Sequence, residues 1–188
     1  FGVISAGAHD SPSHTAAKST AHAPNTLGTG AAFAPDGALW LVQTQEVGRA
    51  PWPDEPDNRA PRPLHQIVVR QSADQGKTWS APSALLAEPE PVSADGQNRP
   101  KIAFGKDGLV VISWTSPTSS RYTGDIRLLR STDGGTRWDL PQTVHADRQR
   151  ITHRFEEIAF DGAGRLVVVW IDKRDLQGNE NSYAGAAI

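Results

Sequence analysis

From Ala31 onward, short apolar runs alternate with turn-forming clusters, and the pattern recurs three times. Phe33-Ala-Pro-Asp-Gly37-Ala-Leu-Trp-Leu-Val42 is the first copy. Phe104-Gly-Lys-Asp-Gly108-Leu-Val-Val-Ile112 is the second, and Phe160-Asp-Gly-Ala-Gly164-Arg-Leu-Val-Val-Val-Trp170 is the third. In each, a Phe closes an apolar stretch, three residues intervene, a Gly follows, and a β-branched or aromatic run begins. Such a link closes a tight hairpin, because Gly reaches positive φ without steric penalty. The strands after the Gly are apolar on both faces. That predicts inner strands covered by neighbouring sheets.

A second pattern follows the first. Ser72-Ala-Asp74-Gln-Gly76-Lys-Thr78-Trp79 returns as Ser131-Thr-Asp133-Gly-Gly135-Thr-Arg137-Trp138. Each copy follows a strand-like run, Gln66–Arg70 or Asp125–Arg130, and leads into a Pro-bearing strand. The Ser and Asp side chains can accept bonds from free N–H groups of a turn, the Gly takes the left-handed position, and the Trp packs inward. The repeating unit is therefore a four-stranded antiparallel sheet. Copies are expected at 30–87, 98–146 and 153–188, the third incomplete. Residues 1–29 read as an arm with a possible strand at Phe1–Ala6. The segment Gln45–His65 carries a proline-rich centre that cannot join a ladder, so it is expected as an excursion or flap.

Repeated four-stranded sheets predict an all-β fold, a β-propeller of which about three blades are present. Known propellers have at least about four blades. The ring is thus expected to be completed by missing sequence or by a second chain. The chain has 188 residues and no Met, so a mature or cut piece of a longer protein is expected. Gly 17 and Pro 14 are generous, as short strands joined by turns require. The net charge of −2 gives no field to attract nucleic acid. No apolar run approaches the ~20 residues of a membrane span. The absence of Cys excludes disulfides, thiol catalysis and Cys-bound metal.

The two Trp-ended corners resemble Asp-boxes, also called BNR repeats. Over residues 30–188 the chain is similar to the sialidase superfamily of six-bladed propellers. The resemblance implies a sialidase-like exo-glycosidase acting on sialic-acid-type or related acidic glycans. It equally admits a non-catalytic BNR propeller that binds glycan, protein or metal. It implies a secreted or periplasmic location and no cofactor. In that family the Asp-box lies at the blade periphery, so Ser72, Asp74, Gly76, Trp79, Ser131, Asp133, Gly135 and Trp138 are expected to be structural.

Sialidase chemistry needs arginines to clamp a carboxylate, a carboxylic acid to protonate the leaving oxygen, and a Tyr activated by a Glu. The family's Phe/Tyr-Arg-Ile-Pro motif is absent; the corresponding stretch is Asn25–Phe33, with no Arg. The long loop is present at 45–65, where Asp54 or Asp57 resembles the general acid in position. Arg99 and Arg154 precede the inner strands of copies two and three, at an end that can point to the central channel of a propeller, and are the substrate-facing candidates. Asp172 and Arg174 are expected at the same channel mouth. Glu156 and Glu157 follow Arg154 and could support it. Neither Tyr122 nor Tyr183 has a Glu placed to activate it. His9, His14 and His22 lie on the polar arm at spacings that fit no fixed zinc motif, so no metal site is assigned. The expected partner is a glycan or other carbohydrate ligand.

Overall fold

The computed structural model describes residues 28–53, 60–118 and 123–174, and the backbone of 183–187. The arm with His9, His14 and His22, the strand expected at Phe1–Ala6, and Asp54, Asp57 and Tyr122 lie outside the described residues. Among those described the elements are strands joined by turns, with one short 3-10 turn at Gly96–Asn98.

The first sheet has the order β1 (Thr29–Phe33), β2 (Leu39–Ala50), β3 (Arg62–Ser72), β4 (Ser83–Ala84). The second repeats it with β5 (Lys101–Phe104), β6 (Val110–Pro117), β7 (Gly124–Ser131) and β8 (Gln142–Thr143). The third contains β9 (His153–Phe160), β10 (Leu166–Asp172) and β11 (Tyr183–Ala187). All neighbouring strands are antiparallel. The sheets are successive blades of a β-propeller. β1 lies beside β5 and β5 beside β9, so the first strand of each blade faces the axis. The innermost strands thus precede the Gly turn, in keeping with inner strands entered at Arg99 and Arg154, and the apolar runs after the Gly are second strands.

The strands after the Gly also differ from one another. β6 is buried along nearly its whole length, whereas β2 and β10 alternate. β6 belongs to the central sheet, which has a neighbour on each side. Val110, Ile112 and Trp114 pack with Trp40, Val42, Ile67 and Val69 of the first sheet. Val111 points the other way and joins Ile158, Leu166, Val168 and Trp170 of the third. The pleat sorts consecutive side chains into two cores. β2 and β10 lie in the flanking sheets, and their patterns keep the period of a half-covered strand.

The two Trp-ended corners are built alike. Ser72 Oγ donates to Asp74 Oδ1 (2.7 Å) and accepts from the Gly76 N–H (2.7 Å). Ser131 Oγ does the same with Asp133 (2.9 Å) and Gly135 (2.8 Å). Each Trp indole then donates to the carbonyl of the corner Gly, Trp79 to Gly76 at 3.0 Å and Trp138 to Gly135 at 3.1 Å. Hydrogen bonds from the Thr78 side chain, the Thr78 backbone and Ser72 hold the Asp74 carboxyl at a pKa of about 2. Gly135 has a φ of 87°, and a Cβ there would stand 2.5 Å from the Trp40 ring of the preceding blade. Only glycine satisfies both demands.

The outer strands are shorter than the Pro-bearing runs suggest, two residues each. Pro82 and Pro141 carry no N–H, so pairing resumes only beyond them. Single bonds flank the gap at equivalent places. Ser80 N donates to Gln71 O and Asp139 N to Arg130 O, both at 2.8 Å.

Candidate functional site

The antiparallel weave gives the molecule two unlike ends. At one, hairpin turns meet the Trp-ended corners, as the bond from Gly134 N to Gly108 O (2.8 Å) records. The other holds the starts of β1, β5 and β9, the ends of β2, β6 and β10 and the starts of β3, β7 and β11. Among the described residues, apart from Ser72 and Ser131, every buried polar residue belongs to this second end: Thr44, His65, Ser93, Asn98, Lys101, Ser113, Thr115, His145, Thr152, His153, Glu156 and Asp172. Burying polar groups is unfavourable unless they are bonded, so the hydrogen bonds among these residues fix the strand ends here.

A bulge in β9 organises it. Val169 pairs with Glu157 and Ile171 with Arg154, so Phe155 and Glu156 together oppose Trp170. The extra residue shifts the side-chain parity. His153 and Glu156, three apart, both turn toward the second sheet. Phe155 is left with a φ of 59°, an outlier for an aromatic residue, and its N–H donates to Asn98 Oδ1 at 3.2 Å. Glu156 accepts from Thr115 (2.7 Å), Ser113 (3.4 Å) and Lys101 Nζ (3.3 Å). Burial raises its pKa despite the lysine charge and these hydrogen bonds. Glu156 is sealed from solvent and cannot touch a ligand; it fixes the start of β9 against β6.

Beside it, the His145 and His153 rings stack at 3.7 Å with 13° between their planes. His145 Nε2 accepts from the Ile126 N–H (3.2 Å), so Nδ1 carries the proton and donates to Asp147 O (2.8 Å). His153 Nδ1 faces Gly124 O at 3.1 Å, and its Nε2 lies 3.2 Å from Asp147 and 3.5 Å from Asp172. Asp125, His145 and His153 offer ligand atoms within 4.8 Å of one another. The geometry does not suit a metal. Imidazole lone pairs lie in the ring plane, so stacked rings cannot aim at one ion, and both nitrogens of His145 are already bonded.

Several of the residues singled out in the sequence meet at this end. Arg154 pairs with Asp95 at 3.3 Å and lies over the Phe155 ring at 5.2 Å. Asp95 and Asn98 belong to the turn that Arg99 ends, so Arg99 and Arg154 flank one feature. Asp172 is buried and accepts from Arg174 Nε (2.9 Å), the Arg174 N–H (2.9 Å) and Trp170 Nε1 (3.0 Å). Burial pushes its pKa up, but the bonds from Arg174 and Trp170 outweigh that and hold it below the ordinary value. The Ser, Asp, Gly and Trp of the two corners lie at the opposite end. His145, His153, Asp147 and Lys101 were not foreseen. The only hint was His153 standing beside Arg154 in the chain.

A cleft of about 300 Å³ opens nearby, between the first two blades. Arg62, Ser116, Pro117, Thr118, Asp125, Arg148 and Arg150 contribute to its walls. Among the described residues no helix is long and apolar enough to cross a membrane.

No family model matches the chain, and no curated protein matches it. Among solved structures it is similar to an α-L-arabinanase of Penicillium chrysogenum complexed with arabinobiose, at 18% identity and a TM-score of 0.55. That likeness covers 86% of this chain and 45% of the arabinanase. The GH93 α-L-arabinofuranosidase of Fusarium graminearum with arabinobiose gives the same four figures. A Hadza microbial sialidase is similar over 78% of this chain and 32% of its own, at 17% identity and a TM-score of 0.49. The chain thus spans half or less of the length of each. The feature shared with the first two is the propeller fold.

Proposed function

We propose that this chain is part of a carbohydrate-active propeller that holds a glycan on the end where β1, β5 and β9 begin. The observation that carries the reading is the open cleft at that end, with Arg62, Ser116, Thr118, Asp125, Arg148 and Arg150 in its walls, set on a layer of buried polar groups that fixes the strand ends. Sugars present many hydroxyls, and recognising them takes donors and acceptors fixed on rigid strands. The likeness in fold to two enzymes bound to arabinobiose supports a glycan as the ligand. In its finer form the reading is a secreted or periplasmic sialidase-like exo-glycosidase for acidic glycans. Arg99 and Arg154 contact the sugar carboxylate with Asp172 and Arg174 beside them, and Asp54 or Asp57 delivers the proton to the leaving oxygen.

One observation favours a second reading, a non-catalytic glycan-binding propeller with Asp-box corners. Carboxylates at this end already have cationic partners: Asp95 has Arg154, Asp172 has Arg174 and Glu156 has Lys101. Assays with chromogenic sialosides and arabinosides, paired with calorimetric titration of the free oligosaccharides, separate the two. Turnover that disappears in Asp54→Asn or Asp57→Asn supports the enzyme. Binding without turnover supports the second reading, and neither binding nor turnover overturns both.

A further inference from the structure

We propose that the Phe155 ring is a stacking platform on which a sugar ring lies by its C–H face. The inference rests on the glycan reading above and adds a contact that does not depend on the sugar's charge. Phe155 lies in the bulge of β9, the axis-facing strand of the third sheet, at the end where the buried polar groups collect. Its φ of 59° is a left-handed conformation that is unfavourable for an aromatic residue and that glycine adopts freely. Such strain persists only where the surroundings hold it in place. Here the Phe155 N–H donates to Asn98 Oδ1 at 3.2 Å, Asn98 is fully buried, and its side-chain amide donates to Asp95 Oδ1 at 2.8 Å.

The strain is coupled to exposure. His153 and Glu156, on either side of the strained position, are sealed from solvent, whereas the Phe155 side chain stays open to it. Bulges next to binding sites re-aim a side chain in this way. The ring is also held before any ligand arrives. Arg154 stands 5.2 Å over it and is tied to Asp95 at 3.3 Å, so the turn that clips the Phe155 backbone also fixes the ring's charged neighbour. The Asp95 side chain is itself 71% exposed and can accept from a sugar hydroxyl while it holds Arg154 and Asn98. A sugar has two chemistries. Its hydroxyls take hydrogen bonds, and its C–H face takes an apolar, electron-rich surface. A pinned aromatic ring beside fixed polar groups offers both.

The test combines calorimetric titration with proton NMR, using sialyllactose and arabinobiose as probes. In complex with the wild-type chain, C–H resonances of the bound sugar should move upfield, because protons stacked on an aromatic face lie in its ring current. Phe155→Tyr keeps the aromatic face and should keep both the affinity and the upfield shift. Phe155→Leu keeps an apolar side chain without the aromatic face; it should lose the shift and weaken binding about fivefold to tenfold. A role in packing alone would not move those resonances. Phe155→Gly, which relieves the strained φ, is the second variant should Phe155→Leu fold poorly, and it too should lose affinity and shift. Wild-type affinity in Phe155→Leu and Phe155→Gly, or a complex without upfield shifts, overturns the platform and leaves the glycan reading standing. If the wild-type chain binds neither sugar, the glycan reading falls and the platform falls with it.

Discussion

His145 is held neutral because both of its ring nitrogens are bonded, one as acceptor from Ile126 and one as donor to Asp147. Burial, above all, lowers its pKa from the ordinary 6.5; the Asp147 carbonyl opposes this and the neighbouring His153 adds to it. The folded protein therefore binds this proton less readily than the unfolded chain does. Its contribution is complete above about pH 6.5 and is lost as the pH falls toward the lowered value. The melting temperature should drop on acidification through that window. His145→Gln, which gains no charge, should flatten the drop. An unchanged profile in the variant would show that other groups carry the acid sensitivity. Nothing in the chain order announces this stack. His145 sits after β8 and His153 opens β9, and their partners arrive from β7 and β10. Arg99, Arg154, Asp172 and Arg174 were legible as strand-end residues, but their pairing depended on where separate sheets placed them.

The hairpins and Trp-ended corners were legible because each is a local bargain between a few neighbouring residues. The bulge in β9 was not. It exists because Trp170 is opposed by two residues at once, a property of pairing between strands. Burial of the strand after the Gly was misjudged for a related reason. Val-rich runs look alike in β6 and β10, and only the presence of a second neighbouring sheet separates them. Their substitutions should therefore differ. Trp114 is fully buried between blades, and Trp114→Ala should cost about 3–5 kcal/mol. Val169 is 48% exposed, and Val169→Ala should change stability by no more than about 0.5 kcal/mol. Denaturant unfolding of the two variants checks the contrast; equal losses would contradict the assignment of β6 as the doubly covered strand.

Among the described residues three blades make a fan, with the central sheet packed on both sides and each flanking sheet packed against it on one. Phe33 (64% exposed), Val169 (48%) and Phe155 (38%) lie on the flanking sheets. Apolar groups left in water on a pleated surface recruit other apolar surfaces. The 188-residue chain should accordingly enhance the fluorescence of an apolar dye, and Phe33→Ser with Val169→Lys should reduce the signal without loss of secondary structure by circular dichroism. A signal unchanged by the pair would place the dye elsewhere.

The pleat that sends Val111 one way and Val110 the other also gives every blade a front and a back that are not alike. Within the fan each contact joins the back of one sheet to the front of the next. Any further sheet that continues the fan must obey the same polarity, so its growth is head-to-tail, as in a spiral stair.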